Sequence, residues 1–437
     1  LLRLVWPVLV EQLLLMLVGL SDTFLAGRNL SRSHLAAMTS MSYVMWLLTN
    51  LFAIVAIGAT ALTARYVGAQ DQRGAVRATN QSVLIGAVLA AALTVLGWLF
   101  GEQLIGLMRL DGDAARFAVR FLNLLVPVLP AMMVESVGIA ALRGAGDMVT
   151  GLVTMCLVNV VNLAVSWSLL QGIGPIPPQG WDGIAIGTAS GHATGGLVVL
   201  AILLRGRRGF RLRLADMRPD WTLIRRILWV GVPGGIDVLS LTICQLAFLS
   251  MINQLGELAA AAHGVAIRIE SLAYLPGGAF QVAAATLAGQ YLGAGDRHGA
   301  RRSVLTACAF GGGVMSVIGL LMFLNADQLV GFFLSQEQLG VPQASAPLLR
   351  IISFAMLPLA IMNVLTGALR GAGDTRWPLL ITLIGFLGVR MPLAYGLSFS
   401  LGWGVRGAWY AMTIDLTLRC VLVVARFCQG GWQRLDV

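Results

Sequence analysis

The chain has 437 residues, of which 57% are hydrophobic and only 11% charged. A soluble globular protein carries roughly 25% charged residues, so most of this surface meets something other than water, and no large soluble domain fits beside the apolar segments. The net charge of +10 comes from arginine alone, because there is no lysine; the arginines lie between apolar segments and form no single patch, which argues against nucleic-acid binding and for sorting across a bilayer.

A span needs about 20 apolar residues. Such stretches run over 4–27, 36–66, 80–101, 116–141, 150–170 and 183–204, and again over 223–253, 259–291, 303–324, 346–369, 377–400 and 407–427. The first reads as a span and not a cleaved leader, since it continues past residue 20 without a small-residue cleavage site. The longest polar connection, Arg205 to Arg226, holds eight arginines with Trp221 and Ile224 interleaved, the pattern of a helix lying at the headgroup surface. The expected fold is all-α and integral to the membrane, with twelve transmembrane helices in two six-helix lobes, 1–204 and 223–437, joined by a cytoplasmic linker at 205–222.

The two sets are copies of one unit. Tyr66-Val-Gly-Ala-Gln-Asp71 recurs as Tyr291-Leu-Gly-Ala-Gly-Asp296, and Leu142-Arg-Gly-Ala-Gly-Asp147 recurs unchanged as Leu369 to Asp374. Pro7 pairs with Pro233 and Gly183 with Gly407, all at offsets of 224 to 227. A constant register of this kind marks an internal duplication. Six spans per half give parallel repeats related by an axis along the membrane normal. With both termini cytoplasmic, twenty arginines fall on the inner face, against Arg28, Arg32, Arg109, Arg116, Arg120, Arg350 and Arg406 outside. That is the sense of the positive-inside rule. The Arg-Gly-x-Gly-Asp turns then lie at the cytoplasmic face and read as helix-capping structure.

Ionisable residues inside spans cost about 2.5–3.5 kcal/mol each even on lenient insertion scales, so those that remain are functional leads. They are Glu11, Asp22, Glu135, His192, Asp237, His263, Arg268, Glu270, Arg390 and Asp415. Glu11 and Asp22 are separated by about three helical turns and share a face about 16 Å apart. Pro7, one turn before Glu11, removes a backbone hydrogen bond and makes a bending point. Asp22 is a candidate carrier of a proton or sodium ion; the alternative is a loop cap at the outer end of its span. Glu11 and Asp237 occupy one register position, four residues after Pro7 and Pro233, and are open to a structural or a transport role. His263 and Glu270 share a face of the eighth span with Arg268 offset, either a fixed ion pair or a protonation relay. Asn159, Asn162, Ser166 and Thr188 supply neutral oxygens that with Asp22 can form an oxygen-only cation site or simply join helices.

Other chemistries lack their signatures. Without lysine there is no GxxxxGK[ST], so the chain alone is no ATP-driven pump. The four histidines are dispersed, with no HExxH or clustered metal ligands. Ser190-Gly-His192 has no GxSxG context, and no potassium-filter sequence occurs. The five cysteines lie in or beside apolar segments without a CxxC, as small buried hydrophobes do.

Pro7 with Ser21-Asp-Thr-Phe-Leu-Ala-Gly27, Ala261-Ala-His-Gly-Val-Ala-Ile-Arg-Ile-Glu-Ser271, Gly293-Ala-Gly-Asp296, Leu369-Arg-Gly-Ala-Gly-Asp374 and Arg390-Met-Pro-Leu-Ala-Tyr395 together resemble the signature of multidrug and toxic compound extrusion (MATE) transporters, over essentially the whole chain. The resemblance implies two six-helix lobes around a central cavity, with export driven by proton or sodium entry. It assigns the first-lobe cation site to Asp22, to Asn162 (the asparagine of an Asn-x-x-x-Asp pattern) and to Thr188. The aspartate of that pattern is Ser166 here, and the seventh-helix acid of some members falls near Leu241, so this chain lacks both, although Asp237 is one turn away. A lone carboxylate is suited to binding and releasing a proton, so proton coupling is expected, with protonation of Asp22 letting the first helix bend near Pro7. In a sodium-coupled protein, Asp22, Asn162 and Thr188 would be the ligands.

The expected protein is therefore not an enzyme and carries no cofactor or resident metal. It is a monomeric multi-pass protein of the inner (plasma) membrane, with both termini cytoplasmic, exporting amphipathic or cationic small molecules. A lipid-linked-precursor flippase of the same plan is the nearest alternative; a membrane-embedded enzyme would need a clustered nucleophile and base that the sequence does not show.

Overall fold

The computed structural model describes residues 1–108, 110, 112–172, 177–207, 211–212, 217–333 and 340–435. Arg109 and the middle of the arginine-rich connection lie outside them. Among the described residues the chain is helical throughout. The first half comprises α1 (Leu2–Asn29), α2 (Arg32–Gly68), α3 (Gln72–Leu107), α4 (Gly112–Leu125), α5 (Leu129–Gly144), α6 (Val149–Gln171) and α7 (Trp181–Arg205). The second comprises α8 (Trp221–Asn253), α9 (Glu257–Gly293), α10 (Arg297–Leu324), a short α11 (Ala326–Phe333), α12 (Val341–Ser353), α13 (Met356–Gly371), α14 (Arg376–Leu383), α15 (Met391–Tyr395) and α16 (Gly404–Cys428).

Among the described residues ten segments are long and apolar enough to cross a membrane, and α12 with α13, bent by 54°, makes an eleventh. Helix α16, 25 residues long, carries Arg406, Asp415, Arg419 and Arg426, of which Asp415 and Arg419 are buried. Two further spans are composite. Residues 112–144 join α4 to α5 through a 3₁₀ turn at Val126–Val128, where Pro127 and Pro130 each remove a backbone donor. Residues 376–400 alternate α14 and α15 with wide π-type turns at Ile384–Arg390 and Gly396–Ser400.

One expectation is corrected at the linker. Trp221, Ile224 and Arg225 do not lie in a separate surface helix; they are the first turns of α8. Asp220 starts that helix by accepting the backbone N–H groups of Thr222 and Leu223 at 3.1 and 3.2 Å, an N-cap that leaves no break before the seventh span. Gln81 of α3 holds the preceding segment, donating to the Arg218 carbonyl at 2.8 Å and accepting from Asp220 N at 3.1 Å.

The chain divides into two compact units, Trp6–Gly235 and Ile236–Val437, the latter with Leu1–Val5. Each shows the duplication in its packing. Gly144 of α5 lies against the Thr60 carbonyl and Thr63 of α2, and its repeat mate Gly371 of α13 lies against the Ala285 carbonyl of α9. Small residues at helix contacts let backbones approach within membranes. The polar turns after α2 and α9 are likewise equivalent: Asp71 and Asp296 accept the N–H groups of Gly74 and Gly299 at 2.8 and 2.7 Å. These two turns cap the helices that follow them.

The copies differ where Gln70 stands opposite Gly295. Both positions are left-handed, with φ of 57° and 76°, a region that penalises a side chain by about 1–2 kcal/mol. Gln70→Gly is therefore expected to stabilise the first unit by about 1 kcal/mol, read as a higher melting temperature in detergent, and Gly295→Gln to lower it. Equal melting temperatures for all three proteins would refute this.

Candidate functional site

Helix α7 carries Gly183, Gly187, Gly191 and Gly195 at four-residue spacing, one stripe along its surface. A Cβ on Gly187 would fall on the Ser166 Oγ of α6, and one on Gly191 would meet the Val158 carbonyl and the Asn162 Cβ. The stripe thus seats α7 directly on α6 and brings Thr188 beside Asn162. Helix α1 completes the arrangement: the Asn159 amide of α6 donates to the Leu14 carbonyl of α1 at 3.0 Å.

Three residues from three helices then meet. Asn162 Nδ2 donates to Asp22 Oδ1 at 3.0 Å, Thr188 Oγ1 donates to Asp22 Oδ2 at 2.7 Å, and Asn162 Nδ2 lies 3.3 Å from Thr188 Oγ1. Asp22, Asn162 and Thr188 are 4%, 1% and 2% exposed. Asp22 is thus an interior group and not a loop cap. Each carboxylate oxygen receives one donor, as an ionised carboxylate out of water requires. The Ser21 hydroxyl, 2.8 Å from the Val18 carbonyl of its own helix, lies 3.3 Å from Asn162 Oδ1. Ser166 does not join the set; its hydroxyl lies 3.5 Å from the Ile184 carbonyl.

Thr188 can serve both protonation states of its neighbour. Its oxygen is 2.7 Å from Asp22 Oδ2 and 3.1 Å from the Ile184 carbonyl, and a hydroxyl has one hydrogen but two acceptor lone pairs. It donates to ionised Asp22; when Asp22 is protonated, the hydrogen turns to Ile184 and the oxygen accepts from Asp22.

A second buried pair lies in the same unit. His192, one turn beyond Thr188 on α7, and Glu135 of α5 approach to 3.0 Å between Nδ1 and Oε2, both largely buried. Both residues stand out in the sequence as intramembrane ionisables, but a separation of 57 positions gives no sign that they pair.

Glu11 and Asp237, left open between two roles by their sequence, are both ion-paired. Glu11 Oε1 lies 2.8 Å from Arg143 Nη2, and Asp237 Oδ2 lies 2.6 Å from Arg370 Nη2. The two arginines are the repeated Arg of the Arg-Gly-Ala-Gly-Asp turn. The Asp of each turn binds an arginine at the end of the sixth helix of its half: Asp147 to Arg207 at 2.6 Å and Asp374 to Arg426 at 2.8 Å. Each turn therefore ties the first and last helices of its own half together. Burial raises the Asp374 carboxyl above the ordinary carboxylate range, opposed by the Arg426 guanidinium beside it. Asp237 is held in this clasp and does not replace the acid missing near Leu241.

The Arg268–Glu270 ion pair, one of the two expected forms, is not made. Arg268 is exposed and Glu270 half-buried, and among the described residues no ion pair joins them. His263 is buried edge-on to Phe248 and Trp409, at ring-centroid distances of 6.0 and 5.7 Å, an aromatic interior setting. Residues two apart on a helix point in different directions, which is why the pairing fails. The buried arginine pair of this half comprises Arg390 and Arg419, both on Asp415.

Comparison with known proteins agrees with this architecture. The family model described as MatE matches residues 7–168 and again 233–396, one match per repeat, and the chain belongs to the MatE family. It is 28% identical to a probable multidrug resistance protein NorM of Thermotoga maritima, covering 100% of this chain and 93% of that protein. It is 27% identical to the multidrug resistance protein NorM of Burkholderia vietnamiensis, covering 97% and 92%. Among solved structures, an outward-facing multidrug resistance MATE family transporter of the MOP superfamily superposes with a TM-score of 0.91 at 21% identity, over 99% of this chain and 96% of that one. A MATE structure in a bent conformation matches with a TM-score of 0.91, also at 21% identity, over 99% and 95%. The protein is an all-α integral membrane transporter with two lobes.

Proposed function

We propose that this protein is a secondary active exporter of amphipathic or cationic small molecules, driven by inward proton flow through alternating access, with Asp22 as the proton carrier. The observation that carries the reading is the Asp22–Asn162–Thr188 set. It is a buried carboxylate whose hydroxyl neighbour can donate to the charged form or accept from the neutral one. Asn162 presents its N–H to Asp22, which opposes a sodium ion on that side and favours a proton. The multidrug resistance names of the relatives NorM support the substrate class.

Protonation removes the charge that holds α1 to α6 and α7. Pro7 lies fifteen residues before Asp22 on the same continuous α1, about 22 Å at 1.5 Å per residue. The helix, released at Asp22, bends at the backbone bond that Pro7 lacks. Solved neighbours of the same fold in bent and straight conformations accord with such a change. In this reading the protein is a monomer of the bacterial inner membrane with both termini cytoplasmic, so the two clasped turns and most arginines face inwards.

Proteoliposomes with an imposed proton gradient, and separately a sodium gradient, test the proposal. Wild-type protein is expected to export under the proton gradient alone and Asp22→Asn under neither. Export by Asp22→Asn, or by sodium alone, would sink it. Thr188→Ser keeps the hydroxyl and is expected to retain export. Thr188→Val leaves a buried carboxylate oxygen without its donor, a loss of about 1–3 kcal/mol, and is expected to slow export about tenfold or more.

A further inference from the structure

In the second unit two buried arginines share a single carboxylate oxygen. Arg390 Nε and Nη2 each lie 2.8 Å from Asp415 Oδ2, and Arg419 Nη2 lies 3.0 Å from the same atom. Arg390, Asp415 and Arg419 are 2%, 0% and 4% exposed. Two positive charges thus face one negative charge out of water, where an unmatched charge is strongly unfavourable. The donors are unmatched too: Arg390 Nη1 and Arg419 Nε have no hydrogen-bond partner. The Phe386 ring, 4.2 Å from the Arg390 Cζ, offers a cation–π contact but no counter-charge.

One other acid lies within electrostatic reach of Arg390, namely Glu270 of α9. It is half-buried and makes no hydrogen bond or ion pair among the described residues. The titratable and charged groups around this cluster are few. Cys244 of α8 and Tyr274 of α9 lie within reach of its charges. Arg370 reaches Tyr274 but is committed to Asp237. His263, on the same face as Glu270, is enclosed by Phe248 and Trp409. With Glu270 ionised, the Arg390–Arg419–Asp415–Glu270 group is neutral; with it protonated, the group carries one net positive charge. Arg390 also ends the π-type stretch Ile384–Arg390, a backbone irregularity that recurs at functional sites.

We propose that Glu270 is a second proton carrier, located in the second half, and that the unpartnered Nη1 edge of Arg390 is the dock for its ionised form. A proton bonds to a Glu270 oxygen on one side of the transport cycle and leaves the same oxygen on the other, with no further reactant. Protonation frees Glu270 from the dock, and deprotonation returns it there and neutralises the arginine pair. The inference rests on the proton-coupled reading above and adds a second proton per cycle to it.

The test is the proton stoichiometry of export, measured in proteoliposomes with the membrane potential clamped at zero. Each coupled proton multiplies the substrate gradient about tenfold per pH unit. Wild-type protein is expected to reach about a hundredfold gradient, and Glu270→Gln about tenfold, with Asp22 intact. Glu270→Asp, which keeps a carboxyl at the site, retains the wild-type value and controls for folding. A separate readout is the infrared pH-difference spectrum of purified protein: a carboxylic C=O band that titrates in wild type is expected to be missing from Glu270→Gln. A one-proton gradient in wild type, an unchanged gradient in Glu270→Gln, or persistence of every titrating band in that variant overturns the inference. Such results leave Asp22-dependent proton coupling standing, whereas export that ignores the proton gradient altogether defeats the coupling itself.

Discussion

Arg370→Gln is expected to destabilise the protein by about 3–5 kcal/mol, because it strands Asp237 in the interior without its counter-charge. Asp237 is 1% exposed and its second oxygen already lacks a partner, so the guanidinium is its one hydrogen-bond donor among the described residues. The change should appear as a lowered midpoint of denaturation in detergent. Asp237→Asn combined with Arg370→Gln is expected to recover most of the loss, since neither charge is then left alone. The first-half clasp should respond less, because the Arg143 side chain is 24% exposed against 15% for Arg370 and water screens part of the damage. Equal, small effects at Arg143 and Arg370, or a double variant no better than the single one, would show that the clasps do not hold their helices.

Gly187→Val should abolish most proton-driven export while sparing insertion of the protein in the membrane. Any Cβ at this position falls on the Ser166 Oγ, and a branched side chain adds two further carbons in the same space. Overpacking of this kind costs about 1–3 kcal/mol, and it acts between the two helices that position Asn162 and Thr188 around Asp22. Export is expected to fall tenfold to a hundredfold, in proportion to that energy. Gly187→Ala with Ser166→Gly removes the nearest colliding atom but leaves the Ser166 N and the Asn162 carbonyl 2.8 and 2.9 Å from the new Cβ, so it should recover part of the activity that Gly187→Ala alone loses. Gly19→Ala on α1, where nothing lies within 4 Å, is the matched control and should be silent. Activity lost equally in Gly19→Ala, or no rescue by Ser166→Gly, would detach the stripe from the site.

The rescue also bears on the departure of this chain from the pattern it resembles. A larger acid at position 166 would press on Gly187 unless it turned towards Asp22. Serine fits under α7 with its hydroxyl on the Ile184 carbonyl, and leaves Asp22 as the single acid of its immediate hydrogen-bond set.

Spans, duplication and the candidate carrier were legible in the sequence by itself, for a physical reason. Membrane crossing depends on apolar length, a property of consecutive residues, and duplication leaves a constant offset such as that from Leu142 to Leu369. Asp22 stands out as an ionisable residue within an apolar span. Only the tertiary structure decided which charges meet. Glu11 finds Arg143, Glu135 finds His192, and Arg390 with Arg419 converges on Asp415. Conversely, Arg268 and Glu270, close in sequence, do not pair. Partner choice between helices depends on their rotation and depth, which are set by contacts such as Gly187 on Ser166 and Gly371 on Ala285. Those contacts join residues far apart in the chain, so no local pattern encodes the pairing they produce.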